Sequence, residues 1–273
     1  MNILSVETSG AQVGIAALQI EGNTPPVPLA VLGSREPRQL SRSIIGGIAS
    51  TLQRANWTLD DVQAIAVGIG PGSWTSLRIA LSTCKTLAQV RGWQLAGVPT
   101  FDAMAHVACR EAPGQHAEQM DVAQSSANGS MPHLPEEFAL LVTGRCRAGE
   151  VYGKIFGCRR LTFDAPFEAT AAQVLQPEWA DAPDAVAELF SGVAHERGRA
   201  GSLVLIGDGS DDVGAALHRH NRSHVMLNAS IEALAVAVGR LGAAQIACGL
   251  SANPLELQPL YVMPSAAERN LGR

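Results

Sequence analysis

The stretch from Val67 to Ala88, VGIGPGSWTSLRIALSTCKTLA, constrains the fold more than any other part of the chain. An apolar run breaks at Gly70-Pro71-Gly72 and resumes with helical spacing, so a strand feeds a helix through a glycine-proline turn. Junctions of this kind are the building blocks of α/β folds. Two glycines around a proline at such a junction either cradle a phosphate or let two backbones pass close together. The choice separates an enzyme from a scaffold.

The same alternation runs through the rest of the chain. Ile3 to Thr8 and Val13 to Ile20 read as strands joined by the turn residues Ser9-Gly10-Ala11-Gln12. After the Pro-rich GNTPPVP come a strand at Leu29 to Leu32, a helix at Leu40 to Ala55 and a buried strand at Ala64 to Ile69. A helix at Thr75 to Val90, a strand at Leu95 to Val98 and a short helix at Asp102 to Cys109 follow. From Glu111 to Glu137 periodicity is lost and Pro, Gly, Ser, Gln and Asn accumulate, as in a flexible surface excursion. Strands at Phe138 to Thr143 and Val151 to Phe156, a helix at Asp184 to Phe190 and a strand at Leu203 to Ile206 lead to the turn Gly207-Asp208-Gly209. A helix at Asp212 to Arg219 precedes a long helix at Ser230 to Cys248, with Asn228 or Ser230 as N-cap and Glu232 in its first turn.

Each half thus opens with hairpin-like strands and continues as alternating helix and strand, which predicts a duplicated ββαβα-type α/β unit and two lobes around a cleft. We expect residues 1–107 with the helix 229–250 to form the first lobe, 108–228 with the excursion 111–137 the second, and 251–273 a tail. The length of 273 residues allows two lobes with real cores. With 47% hydrophobic and only 16% charged residues, part of the surface is expected to be covered. A net charge of -5 without any block of Lys and Arg leaves no footprint for gripping nucleic acid directly. Five scattered cysteines, none in a Cys-x-x-Cys pair, point to a reducing compartment, and the chain reads as cytoplasmic, with no signal peptide and no membrane span.

Two helices of the first half carry unusual surfaces. In the helix from Thr75, Arg78, Ser82, Lys85 and Gln89 form one narrow polar stripe, and Leu77, Leu81, Cys84 and Ala88 belong to a wide apolar arc. An arc that wide needs a second cover besides the sheet, either the neighbouring helix or another protein. In the helix from Leu40, Ile44, Ile48 and Leu52 share a face with Ile45 beside it, and Gly46-Gly47 sits mid-helix at a cost of about 1 kcal/mol per glycine relative to alanine. Close approach of another backbone, from within the chain or from a partner, explains that cost.

Candidates for chemistry are weak. No histidine pair has metal-ligand spacing on a helix, and His218, His220 and His224 read as a solvated helix end. Ser73 and Ser76 match no nucleophile elbow. Glu7 is placed either to meet a cation-bound phosphate or, more plainly, as an exposed acid at a strand end. Gly70, Gly72, Gly207 and Gly209 form two post-strand turns that suit phosphate or ordinary packing equally.

Taken together, GIGPGSWTSLRIALSTCKTLA with LAGVPTFDAMA closely resembles the signature of the TsaB family, bacterial tRNA threonylcarbamoyladenosine biosynthesis proteins, which usually read Gly-Pro-Gly-Ser-Phe-Thr-Gly-Leu-Arg-Ile-Gly there. ILSVETSGAQVGIAAL is similar to the opening Asp-Thr-Ser hairpin of that family, GEVYGKIF to its Gly-Glu-Val-Tyr strand, GDGS to its Gly-Asp-Gly turn and QPLYVMPSAA to its Pro-x-Tyr tail. The resemblance implies an actin-like, Hsp70-like and sugar-kinase-like fold without catalysis or metal of its own. It implies support of a TsaD-type catalytic subunit that modifies the adenosine next to the tRNA anticodon, with a TsaE-type ATPase in the assembly and tRNA met only through the complex. The partner surface it implies comprises Ile44, Ile45, Gly46, Gly47, Ile48, Leu52, Leu77, Arg78, Leu81 and Lys85. ATP or ADP enters only at a shared interface, and the chain alone pairs with itself. The chain departs from the family at Glu7 in place of Asp, Leu40-Ser41 in place of His-Ser, Trp74 and Ser76 in place of Phe and Gly, and Arg145 in place of Asp. Those departures thin any nucleotide role and leave the helices intact. An ATP-binding phosphotransferase of the same fold class is the competing expectation, resting on the two glycine turns and Glu7, while a peptidase has no nucleophile or metal pair behind it.

Overall fold

A computed structural model describes residues 1–8, 12–22, 24–34, 40–110, 134–146, 149–161, 172–199 and 203–262, without the side chains of 34 and 40–43. The first turn at 9–11 and residues 111–133 of the expected excursion lie outside the described residues. The excursion ends sooner than expected, because Glu137 already begins a strand.

The first sheet contains β1 (Asn2–Glu7), β2 (Val13–Gln19), β3 (Val27–Ser34), β4 (Ala64–Gly70) and β5 (Gln94–Pro99), in the order β3-β2-β1-β4-β5. The second contains β6 (Glu137–Arg145), β7 (Val151–Arg159), β8 (Ala172–Asp181), β9 (Leu203–Gly207) and β10 (Val225–Leu227), in the order β8-β7-β6-β9-β10. The first strand of each set lies at the centre, antiparallel to the second and parallel to the fourth, so the two sheets share one topology. The helices α1 (Leu40–Arg54), α2 (Trp74–Arg91), α3 (Thr100–Cys109), α4 (Pro183–Glu196), α5 (Ser210–Arg219) and α6 (Ile231–Ala247) fill matching places after the third, fourth and fifth strands. Each half therefore runs βββαβαβα, so one supersecondary unit is doubled along the chain. The expected ββαβα unit is two strands and a helix short of this, and in the second half the missed strands are β8 and β10, which carry no clear pattern. β8 is an edge strand with register shifts against β7 and a proline at Pro177, which an edge tolerates because one side of its backbone needs no partner. β10 has only three residues.

Packing exchanges the last helix of each half. α6 lies on the first sheet, where Ala235 and Val238 join Ile3, Leu18, Ala66 and Val98 in one core. Contact there is backbone-close: a Cβ on Gly242 would sit 2.4 Å from the Ala66 Cβ. The Ser230 hydroxyl accepts from the Ala233 amide and so caps α6, deciding between the two expected N-caps. α3 packs instead on the second sheet through Phe101, Ala105 and Cys109 against Phe138, Leu140 and Ile206. An ion-paired cluster reinforces it: Lys154 Nζ on β7 donates to Asp102 on α3 at 2.5 Å and lies 2.8 Å from Glu178 on β8. Burial works against that ammonium, but the two carboxylates outweigh it and hold its pKa above the usual lysine value. Outside these inner helices, α1 and α2 cover the first sheet and α4 and α5 the second.

Two predictions follow from α3. Phe101 is fully buried, and Phe101→Ala is expected to cost about 3–5 kcal/mol, read as a lower urea midpoint. His106 Nε2 is buried without a hydrogen-bond partner, and burial, with the positive charges of Arg110 and Arg240, depresses its pKa to about 3. The unfolded chain protonates this imidazole below about pH 6.5, whereas the folded chain does so only near 3, so stability drains away as pH falls between those values. In chloride buffers His106→Gln should flatten the decline of the urea midpoint between pH 6.5 and 4; an unchanged slope would assign the decline to other groups.

Candidate functional site

Most of the expected partner residues face inward. Ile44, Ile48, Leu52, Leu77 and Leu81 are buried at 5% exposure or less; all but Leu77 lie in the core between the helices and the first sheet, and Leu77 packs toward Gly70. The second cover of the α2 arc is the chain's own α1 and C-terminal segment. The two mid-helix glycines also separate. A Cβ on Gly47 would lie 2.6 Å from Ile15 Cδ1 on β2, so the close approach occurs inside the chain, whereas a Cβ on Gly46 would meet nothing within 4 Å. Left outward are Ile45, 65% exposed, Gly46 and Arg78, with Lys85 half-buried. Ser82 and Gln89 continue the polar stripe in the open, as the helical spacing predicts.

Residues 251–262 strap the far side of α2. The Ala252 amide donates to the Leu95 carbonyl on the edge strand β5, and the Leu260 amide to the Ile69 carbonyl. Lys85 Nζ donates to the Leu257 carbonyl at 2.9 Å. At the N-terminal end of α2 the Trp74 and Tyr261 rings stack at 4.3 Å between centroids, the Arg78 guanidinium lies 3.9 Å over Trp74, and Arg78 Nε donates to the Tyr261 hydroxyl at 3.2 Å. A groove of about 620 Å³ runs between this strap and the polar stripe. Trp74 and Tyr261 escape sequence reasoning: both stood out, one as a replacement and one in a tail motif, but 186 positions of chain separate them and only the fold makes them neighbours.

The second feature is a cleft of about 660 Å³ between the two sheets, at the carboxyl ends of β4, β6 and β9. Gly72 and Gly207 line it with Ser73, Ser76, Arg145, Tyr152 and Asp208. Gly70 and Gly209 stand behind this lining. Gly70, at φ +97° and followed by a cis peptide to Pro71, would bring a Cβ 2.8 Å from Leu77. Gly207 has φ +114°, and a Cβ there would strike the Thr143 carbonyl, so glycine is required for backbone contact with β6. Arg145 clasps the neighbouring turn: its amide donates to the Asp208 carboxylate at 2.7 Å and its Nε to the Asp208 carbonyl at 3.0 Å.

Glu7 corrects the expectation of an exposed acid. It is wholly buried, it accepts from the Thr100 hydroxyl at 3.1 Å, and its carboxylate fills the space over Gly68 that any larger residue would need. His220 is the exposed C-cap of α5, and no three His, Cys, Asp or Glu side chains converge as metal ligands among the described residues. Nor is any described helix long and apolar enough to cross a membrane.

Set beside known proteins, the chain matches over 96% of its length a Pseudomonas aeruginosa protein described as similar to peptidase YeaZ, at a TM-score of 0.67, 19% identity and 99% coverage of that chain. YeaZ from P. aeruginosa itself gives a TM-score of 0.65 at 18% identity, with 95% of this chain and all of that one covered. The fold is that of YeaZ. In sequence, residues 34–120 match the family model for TsaD, tRNA N6-adenosine threonylcarbamoyltransferase. The enzyme of that name from Chlamydia trachomatis is 30% identical over 111 residues, 40% of this chain and 33% of that one. The Escherichia coli tRNA threonylcarbamoyladenosine biosynthesis protein TsaB is 33% identical over 75 residues, 28% of this chain and 32% of that one. The matched stretches span about a third of the length of these curated relatives. The resemblance to TsaB proteins thus holds in sequence and in fold.

The contrast between the two glycines is directly testable. Gly47→Arg is expected to drive a side chain into Ile15 and cost about 3 kcal/mol or more, seen as a large loss of melting temperature or of soluble protein. Gly46→Arg, pointing outward, should leave the melting temperature unchanged or slightly raised, because arginine is the better helix former.

Proposed function

We propose that the chain is a divergent TsaB-type subunit of a tRNA threonylcarbamoyladenosine synthesis complex, acting as a non-catalytic support for a TsaD-type subunit. The observation that carries this reading is the coincidence of two things on one stretch: residues 34–120, which match the TsaD family, include α1 and α2, the helices that keep Ile45, Gly46, Trp74 and Arg78 outward. A catalytic subunit with helices of related sequence offers such a face a partner of like shape. The non-catalytic part of the reading is supported by Glu7, whose carboxylate is committed to Thr100 and to the space over Gly68. It is supported as well by Gly207, which β6 requires for packing. A TsaE-type ATPase joins such an assembly, tRNA is reached only through it, and the chain alone pairs through the same helices.

The cleft of about 660 Å³ favours a second reading, a nucleotide-binding phosphotransferase, because its volume suits a nucleotide and two glycine turns border it. Calorimetry with ATP and magnesium near 1 mM separates the two: saturable heat from the isolated chain would favour the second.

The first reading is tested by size exclusion with light scattering on the chain mixed with the TsaD-type subunit from the same source. A heterodimer peak is expected, and Ile45→Glu should weaken it by about tenfold or more, about 1.4 kcal/mol, with melting temperature maintained. Separate peaks for the wild-type proteins at micromolar concentration would overturn the reading.

A further inference from the structure

We infer that the groove between α2 and the strap is a docking site for an acidic peptide segment of a protein partner, one that presents carboxylates beside apolar side chains. Arg78 and Lys85 lie two helical turns apart on α2, about 10 Å, and both line the groove. Each cation is held by neutral groups: Arg78 Nε donates to the Tyr261 hydroxyl with the guanidinium over the Trp74 ring, and Lys85 Nζ donates to the Leu257 carbonyl. Those contacts orient the two charges and neutralise neither. Among the described residues no carboxylate pairs with Arg78 or Lys85, and none lines the groove. Arg91, later on the same helix, is by contrast paired with Asp60 at 2.8 Å. The opposite wall is apolar, with Pro254, Leu257 and Pro259 around Leu255, which is 73% exposed.

In a chain of net charge -5, a groove whose only charged lining residues are two cations calls for an anionic occupant. Lys85 keeps N–H donors beyond the one given to Leu257, and Arg78 keeps its paired Nη groups, the geometry that carboxylates accept. Because both side chains are already oriented, binding orders little more of them. The apolar wall decides the class of occupant. A nucleic-acid strand would lay its phosphates along Leu255 and Pro259 on a chain without a basic block, whereas a peptide offers acidic side chains to one wall and apolar ones to the other. From Arg78 to Gln89 the helical wall runs about 16 Å, the reach of about five extended residues. Residues 263–273 follow the strap, yet they carry Arg269 and Arg273 against Glu268, so charge favours a partner's segment over the chain's own. The inference goes beyond the TsaD reading: the groove shares Arg78 with the face proposed there but includes neither Ile45 nor Gly46, so mutation separates the two.

The test follows the fluorescence anisotropy of a fluorescein-labelled octapeptide of alternating glutamate and leucine as the full chain is added at low salt. Its comparators are the same peptide with lysine for every glutamate and a labelled uridine decamer. Saturable binding of the acidic peptide is expected, weakened severalfold by raising salt to about 0.3 M. Arg78→Gln combined with Lys85→Gln should weaken it by about fivefold or more. Leu255→Glu alters an exposed residue, so it should keep the melting temperature while weakening the peptide by about tenfold, and Ile45→Glu should change nothing. The proposal is overturned by the lack of saturable binding, by equal binding of the lysine peptide, by tighter binding of the uridine decamer, or by an unchanged affinity in Leu255→Glu. Binding that appears only after residues 263–273 are removed would assign the groove to the chain itself, and a wild-type dimer dissolved by Leu255→Glu would assign it to a second copy; either result overturns the proposal as well.

Discussion

The reciprocal exchange of inner helices is the constraint on which the rest of the structure depends. α3 closes the first half of the chain yet buries Phe101, Ala105 and Cys109 in the core of the second sheet, while α6 closes the second half and lies on the first. α3 also sends Ala103 into the core of the first sheet, so the two helices tie the sheets together, and the sheets cannot separate without exposing both cores. The cleft follows from this arrangement. Its floor comes from Phe101 and Met104 on α3 and from Ile231 and Leu234 on α6, and its walls from the strand ends that those helices hold apart. The ion-paired Lys154 adds direction to an apolar contact, because its ammonium reaches both Asp102 on the helix and Glu178 on the edge strand.

Much of this architecture was legible because its signals are local. Apolar runs of four to eight residues bounded by Gly and Pro placed the central strands, and Asn228 or Ser230 ahead of Glu232 announced the long helix by capping chemistry. β8 was not legible, since an edge strand half-open to solvent needs neither strict alternation nor freedom from proline, and neither was β10, too short to show a period. The exchange of α3 and α6 leaves no local trace either. An apolar helix that packs on a distant sheet reads the same as one that packs on its own.

The site was legible only by half. Helical spacing identified the polar stripe of α2 and the wide arc beside it, but spacing states how much surface must be covered and never by what. Here the covers are α1 and the strap, with Leu257 seated beside Gly97 and its carbonyl held by Lys85. Glu7 fails for a related reason. A carboxylate at a strand end is ordinarily solvated, and only the adjacency of β1, β4 and α3 brings Gly68 and Thr100 together to receive it.

The glycine-proline turn that opens the problem can now be weighed as backbone rather than as motif. Gly70 occupies a positive φ, and a Cβ there would press on Leu77, the first buried apolar residue of α2. Gly207, in the corresponding turn of the second half, also has a positive φ and approaches the Thr143 carbonyl. In both turns glycine serves to bring the helix start against the adjoining strand, and in both the contacts are made by the protein's own atoms. A turn under that geometric demand keeps its glycines whether or not a phosphate ever arrives. Sequence similarity at these positions therefore testifies to the fold, and evidence about partners has to come from residues that packing leaves idle: Ile45, Gly46 and the exposed edge of Trp74.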